Sequence, residues 1–129
     1  MAATAMAFDV LGDRDLDFLR QESKSENAPL LRCAECGQGI TDPRARTERG
    51  GQHEHRCENP LGIGFGIGCF AWAPGCAELG DSTEEHTWFP GYAWRVVVCR
   101  GCARHLGWRF QSPGDRFFGL ILSKLQQAP

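Results

Sequence analysis

WRVVVCRGCARHLGWRF, Trp94 to Phe110, reads as a strand, a knuckle and a second strand. The run WRVVV is aromatic and β-branched, which suits a pleated, half-buried strand, and HLGWRF is a second run of the same kind. Between them Cys99-Arg100-Gly101-Cys102 sets two thiols across a tight turn. The knuckle reverses the chain, so the two runs are expected to pair as an antiparallel hairpin. Setting Val98 near Ala103 brings Trp94 within about one residue of Trp108. On that register Trp94, Val96 and Val98 share a face with Leu106, Trp108 and Phe110.

A hairpin knuckle of this type needs a partner, and Cys33-Ala34-Glu35-Cys36 supplies it. The chain has seven cysteines, an odd number, so complete pairing into intramolecular disulfides is impossible. Two C-x-x-C pairs offer four thiolates that converge on one tetrahedral Zn²⁺. Redox C-x-x-C pairs are the alternative, but such a pair is normally single and sits at a helix start. About 60 residues separate Cys36 from Cys99, against roughly 15 to 20 in a compact zinc ribbon. The metal is therefore expected to staple the beginning of a domain to its last third. Four sulfur ligands leave no position for water, so the expected role of Cys33, Cys36, Cys99 and Cys102 is structural.

Upstream of the hairpin, NPLGIGFGIGCF (Asn59–Phe70) carries glycines at strict period two. A dinucleotide fingerprint would need glycine at 67 or 69, where Ile67 and Cys69 stand. Alternation of this kind makes a strand, with Leu61, Ile63, Phe65, Ile67 and Cys69 on one face and bare backbone on the other. Asn59-Pro60 reads as the turn before it. In HTWFPGYAW (His86–Trp94) two of the four tryptophans and the one tyrosine gather around Pro90-Gly91. A Pro-Gly turn fits a two-residue hairpin loop badly, because its twist splays the strands. With an odd loop that takes in Tyr92, Trp88 is expected directly opposite Trp94. Three indoles, Trp88, Trp94 and Trp108, then meet beside a metal-fixed turn. A tryptophan-rich core is the plainer alternative, but indole fills a core poorly unless its N–H finds a partner. Rigid aromatic walls with a few backbone polar groups at the rim suit a small, flat or cationic ligand.

The rest of the chain narrows the choice of function. With 129 residues it holds one domain, here placed at residues 30–125, preceded by a polar arm over 1–29 that contains the helix-like DRDLDFLRQE. Fourteen basic and sixteen acidic residues leave a net charge of −2, with no basic block to neutralise phosphates, so nucleic acid is not an expected partner. No window approaches a membrane span, and MAATAMAFDV lacks the pattern of a secretory signal, so a cytoplasmic chain is expected. His53 and His55 make an H-x-H pair that resembles a metal motif. With four cysteines already sufficient for one ion, they are read as solvent-facing strand histidines. Cys69 reads as core, while Cys57 and Cys76 have no assigned role.

With CAEC near the start, NPLG, HTWFPGYAW, CRGCARHLGWRF and FFGL in this order, the chain resembles the thalidomide-binding (CULT) domain family of cereblon and its stand-alone relatives, over roughly Leu31 to Leu122. The resemblance implies a mainly β fold of two antiparallel sheets packed at a steep angle, in the manner of a β-tent, and pinned by zinc. It implies no catalysis. It implies a pocket for a cyclic imide such as glutarimide, walled by Trp88, Trp94 and Trp108 with Phe110 behind. The imide would be held by the backbone of His86 and Trp88, with Asn59 and Pro60 closing the rim. Either a small imide or a cyclised protein terminus would serve as partner. Cereblon's Lon-like domain and the helical segment that docks a ubiquitin-ligase adaptor do not fit within residues 1–29, so no adaptor-binding region is expected here. CRGCARHLGWRF and PGDRFFGL also resemble B-type methionine sulfoxide reductases, which are thiol enzymes. The positions that would carry their histidine and nucleophilic cysteine hold Trp108 and Phe118, so no sulfenic step is expected unless Cys69 or Cys76 has taken it over.

Overall fold

A computed structural model describes residues 30–127, so the arm proposed over 1–29 lies outside the described residues. Nine strands follow in chain order: β1 (Leu31–Cys33), β2 (Gly39–Thr41), β3 (Glu54–Glu58), β4 (Gly64–Phe70), β5 (Cys76–Thr83), β6 (Ala93–Cys99), β7 (His105–Ser112), β8 (Asp115–Ile121) and β9 (Leu125–Gln127). They form two sheets with only antiparallel pairs, a small one in the order β2-β1-β9 and a large one in the order β3-β4-β8-β7-β6-β5. The mainly β, two-sheet architecture expected from the sequence is the one observed.

The large sheet buries both of its faces, and alternation along each strand divides the side chains between them. Even positions of β8, Phe118 and Leu120, join Phe70, Val97 and Leu106 against Leu31, Cys33, Ile40 and Leu125 of the small sheet. Odd positions, Phe117 and Ile121, join Ile67, Cys69 and Phe110 on the opposite face. There the cover is a layer of aromatic side chains: Phe65, Trp88, Phe89, Tyr92, Trp94 and Trp108. At Gly75 the backbone comes close to the small sheet. A Cβ there would stand 2.1 Å from the Gly39 carbonyl oxygen.

Three expectations about register need correction. Trp88 is not opposite Trp94: β6 pairs with β5, setting Thr83 against Trp94, and residues 84–92 form an irregular loop. Pro90-Gly91 closes a turn inside that loop, where the Tyr92 N–H donates to the Phe89 carbonyl at 2.9 Å and Gly91 has φ of 91°, as a type II turn demands. Second, Val98 pairs with His105 and Trp94 with Phe110, so Trp108 lies opposite Val96 and diagonal to Trp94. The register slips between Val97 and Val98, which makes Leu106 an extra residue that turns into the core with Val97 rather than sharing a face with Trp108. Third, β4 begins at Gly64, so Leu61 and Ile63 belong to the preceding turn and are exposed rather than strand-bound. The face Phe65, Ile67, Cys69 is as the alternation predicts.

Candidate ligand cavity and metal centre

Each knuckle repeats one backbone pattern. The Cys33 N–H donates to the Gln38 carbonyl and the Gly37 N–H to the Cys33 carbonyl; likewise Cys99 donates to Arg104, and Ala103 to Cys99, all at 2.8 Å. Gly37 (φ 82°) and Ala103 (φ 65°) occupy the same left-handed position, which costs the alanine about 1 kcal/mol. One knuckle follows β1 and the other joins β6 to β7, so they bring the two sheets together at their turns. The four Sγ atoms lie within 4.8 Å of one another, with Cys33 and Cys102 at 3.8 Å and Cys36 and Cys99 at 3.6 Å. Ligands about 2.3 Å from a tetrahedral ion stand about 3.8 Å apart, so the spacing fits one closed four-sulfur site. The Gly101 N–H donates to the Cys99 Sγ at 3.3 Å, the kind of bond that stabilises a thiolate. Burial pushes the Cys99 thiol up to about 12. At Cys33 burial also acts upward, but backbone bonds from Cys36 and Glu35 together with side-chain bonds from Cys102 and Cys99 bring the thiol down to about 7. Among the described residues this is the one cluster of metal-ligating groups.

His53 and His55 do not make a second one. The His53 Nδ1 faces the Thr47 carbonyl at 3.0 Å with its ring edge-on to Phe70, and the His55 Nε2 faces the Gln52 carbonyl at 3.1 Å with its ring against Phe89. Both are half-buried packing groups rather than the solvent-facing histidines the sequence suggests. Cys69 is core, as expected, and Cys76 is buried beside Cys99. Burial pushes their thiols up to about 11 and about 12, and it raises that of Cys57 as well. None is therefore a thiolate near neutral pH.

The aromatic face carries a cavity of about 460 Å³. Trp88, Trp94, Trp108 and Phe110 line it, as do Asn59, Pro60 and His86, so every residue singled out for the pocket lies around one space. The parts come from three places: β6 and β7 carry Trp94, Trp108 and Phe110, the 84–92 loop carries His86 and Trp88, and the β3–β4 turn carries Asn59 and Pro60. Trp88 and Trp108 meet edge to face with centroids 4.7 Å apart, and Phe65 stands edge-on to Trp108 at 5.3 Å. The Trp88 indole N–H donates to the Glu58 carbonyl at 2.9 Å and that of Trp94 to the Glu85 carbonyl at 2.8 Å. With these donors tied back to the chain, the two rings are held in place by their edges. Phe110 is 1% exposed and forms the floor, stacked on Phe117 at 5.1 Å.

Behind the loop, a second set of contacts fixes its far end. Phe89 packs on Phe110 and Phe117, and the Tyr92 hydroxyl donates to Asp115 at 2.5 Å. Asp115 also receives two bonds of 2.8 Å from the Arg49 guanidinium. Those Arg49 bonds, and then the tyrosine, hold its carboxyl below the usual range. At the near end His86 adopts φ of 58°, a left-handed conformation uncommon for a non-glycine residue. Among the described residues no hydrogen bond uses the His86 carbonyl or the Trp88 N–H.

Three lining residues were missed in the sequence: Phe65, Glu85 and His105. Phe65 was legible as part of the β4 apolar face but was given no place in the pocket. The His105 ring stands edge-on to Trp108 at 4.8 Å with Nε2 facing the Gly107 carbonyl, and burial holds its pKa below the ordinary imidazole value. Nothing local in the sequence marks Glu85 or His105, because their place depends on the loop path and on the β7 bulge.

Comparison with known proteins bears on the family and the fold. The chain matches the cereblon proteins of Gallus gallus (46% identity over 52 residues), Danio rerio (45% over 53) and Xenopus tropicalis (43% over 54). The matches cover 36%, 36% and 37% of this chain and 12% of each relative, so the chain spans only a small part of their length. No protein-family model matches the chain. Among solved structures, the crystal structure of the Mis18 'Yippee-like' domain superposes with a TM-score of 0.55 at 12% identity, covering 79% of this chain and 96% of that one, a likeness of fold alone. The chain is thus similar to cereblon over about a third of its own length, which supports a cereblon CULT-like domain.

Proposed function

We propose that this domain is a binding module for cyclic imides, such as glutarimide, thalidomide-type ligands or the cyclised end of a protein chain, and that it performs no chemistry on them. The observation that carries this reading is the pair of unused backbone groups beside the indole walls. An imide presents one N–H donor between two carbonyl acceptors along one edge of a ring whose other edge is CH₂. The His86 carbonyl and the Trp88 N–H form a matching acceptor and donor, and the faces of Trp88, Trp94 and Trp108 take the apolar edge. The strained His86 backbone supports it, since such strain persists where the surrounding structure over-determines it. Asn59 and Pro60 close the rim, and Phe110 forms the floor.

In this reading the four cysteines hold a Zn²⁺ that cross-links the two sheets and takes no part in binding. A thiol-enzyme reading finds no support in Cys69 or Cys76, whose thiols are buried and hard to ionise. The test is a titration followed by intrinsic tryptophan fluorescence, with glutarimide and its N-methyl derivative as probes. Glutarimide is expected to saturate the signal. The N-methyl compound is expected to fail, because it cannot donate to the His86 carbonyl and leaves that acceptor buried and unpaired. Equal binding of the two compounds, or no binding of either at millimolar concentration, overturns the proposal.

A further inference from the structure

Next to the cavity-lining Asn59 and Pro60, the turn between β3 and β4 leaves two large aliphatic side chains in water: Leu61 is 84% and Ile63 52% exposed. A lone exposed leucine is ordinary on a protein surface. This pair differs because the turn beneath it is fixed from within. Asn59 Oδ1 accepts from the N–H groups of both Leu61 and Ile63, the Gly62 N–H donates to the Asn59 carbonyl, and the Asn59 N–H donates to the Ile63 carbonyl, each at 2.9 Å. The backbone is thus ordered before any partner arrives, so ordering it does not weaken binding. Its position is equally particular. Leu61 follows the cavity-lining Pro60, and Ile63 precedes the cavity-lining Phe65 by two residues, roughly 7 Å along an extended chain.

The loop across the cavity has a different character. Glu84 and Glu85 lie on it, and Glu58 ends β3 on the turn's own side, where its carbonyl accepts from the Trp88 indole. All three are exposed, and no ion pair among the described residues involves any of them. A ligand that ended at its ring would have no use for the aliphatic pair. A ring at the end of a polypeptide leads its chain out of the cavity, and the pair and the carboxylates belong to the segments that line it.

Resting on the imide-binding reading above, we infer that the mouth selects the residue preceding a cyclised protein terminus: an apolar side chain there packs on Leu61 and Ile63, while Glu58, Glu84 and Glu85 disfavour an acidic one. The occupant is a protein C-terminal segment ending in a cyclic imide, with an apolar and non-acidic residue before the ring. Burial of part of one aliphatic side chain against the pair accounts for a preference of about fivefold. The carboxylates act at longer range and are screened by salt.

The test uses the full chain with its metal and four probes: acetyl-aminoglutarimide, and the same ring preceded by leucine, serine or glutamate. Fluorescence titration should show the leucine probe binding about fivefold tighter than the serine probe. The glutamate probe should be weaker than serine by a factor that shrinks as salt rises. The double variant Leu61→Ser, Ile63→Ser should erase the leucine preference while binding the bare ring unchanged, which also reports that it is folded. Equal binding of the leucine and serine probes, or a leucine preference that survives in the double variant, overturns the inference. So does a wild-type dimer that the double variant converts to monomer, since the pair would then face a second copy. If the bare ring does not bind, the imide reading fails and this inference fails with it. If the ring binds without discrimination, only this inference fails.

Discussion

Truncating Trp94 and truncating Phe110 should have opposite effects, although the two residues face each other across β6 and β7. Phe110 is 1% exposed and packed between Phe89 and Phe117, with centroids at 4.8 and 5.1 Å. Removing its ring leaves a cavity in the aromatic face and should cost about 3 to 5 kcal/mol. Trp94 is only half-buried, and its N–H bonds the carbonyl of an exposed residue, where water can replace it. Trp94→Ala should therefore cost about 1 to 2 kcal/mol of stability. Against a total of about 5 to 15 kcal/mol for a domain, that variant stays folded. Its loss should appear in binding instead, on the order of 2 kcal/mol or more, which is about 30-fold in affinity. Urea unfolding of both variants beside an imide titration of Trp94→Ala separates the two quantities. If Trp94→Ala shifts the unfolding midpoint as far as Phe110→Ala does, the indole is core and the cavity is an accident of packing.

Stripping the metal, or replacing one ligand by Cys99→Ser, should unfold the domain rather than loosen one turn, because such sites supply roughly 10 kcal/mol or more; a chelated sample with an unchanged melting curve refutes this. Gly75→Ala forces a Cβ to 2.1 Å from backbone that cannot yield and should cost on the order of 3 kcal/mol, whereas Gly66→Ala meets nothing within 4 Å and should change stability by less than about 1 kcal/mol. Equal unfolding midpoints for the two would mean that the sheets do not approach as described. Asp115, whose folded pKa is depressed by Arg49 and Tyr92, stabilises the fold above its unfolded pKa of about 3.9, and that contribution disappears as pH falls through the folded value. Asp115→Asn should therefore flatten the loss of stability below about pH 4, and parallel pH profiles for the two proteins would argue against the Arg49 pair.

What was legible in the sequence had a local cause. The C-x-x-C spacing announces convergent sulfurs wherever the two knuckles lie, and the glycine alternation of 62–68 announces a strand whose apolar face, at Phe65, Ile67 and Cys69, is the one found. The clustering of Trp88, Trp94 and Trp108 was legible from the residues, although on registers that the structure corrects; Phe110, His86, Asn59 and Pro60 came from the resemblance, and all seven line one cavity. The registers were not legible. Whether Trp94 meets Trp88 or Thr83 depends on β5, whose own register against β6 slips between Leu79 and Thr83 near Gly80, at φ of 75°. The displaced Leu106 depends on a bulge whose value lies in filling the opposite face. Leu61 and Ile63 fit the strand alternation, yet the Asn59 side-chain oxygen accepts from the N–H groups of both and holds them in a turn, so that the strand starts only at Gly64. Tertiary preference of this sort leaves no period in the chain.

The unequal cover of the large sheet bears on how such a domain can change over generations. Phe118, Leu120 and Val97 press on a second sheet that meets the first at a cluster of four cysteines, so an altered side chain there disturbs two layers and the cysteine cluster together. Trp88, Glu85 and His86 hang on a loop, and Leu61 and Ile63 on a turn, with Phe110 and Phe117 forming an intact layer beneath them. Substitutions in that outer stratum alter what the domain accepts and leave its folding free energy nearly constant. Divergent copies of this chassis should therefore differ most at the mouth and least behind Phe117, and new ligand preferences are open to them by single substitutions rather than by redesign of the core.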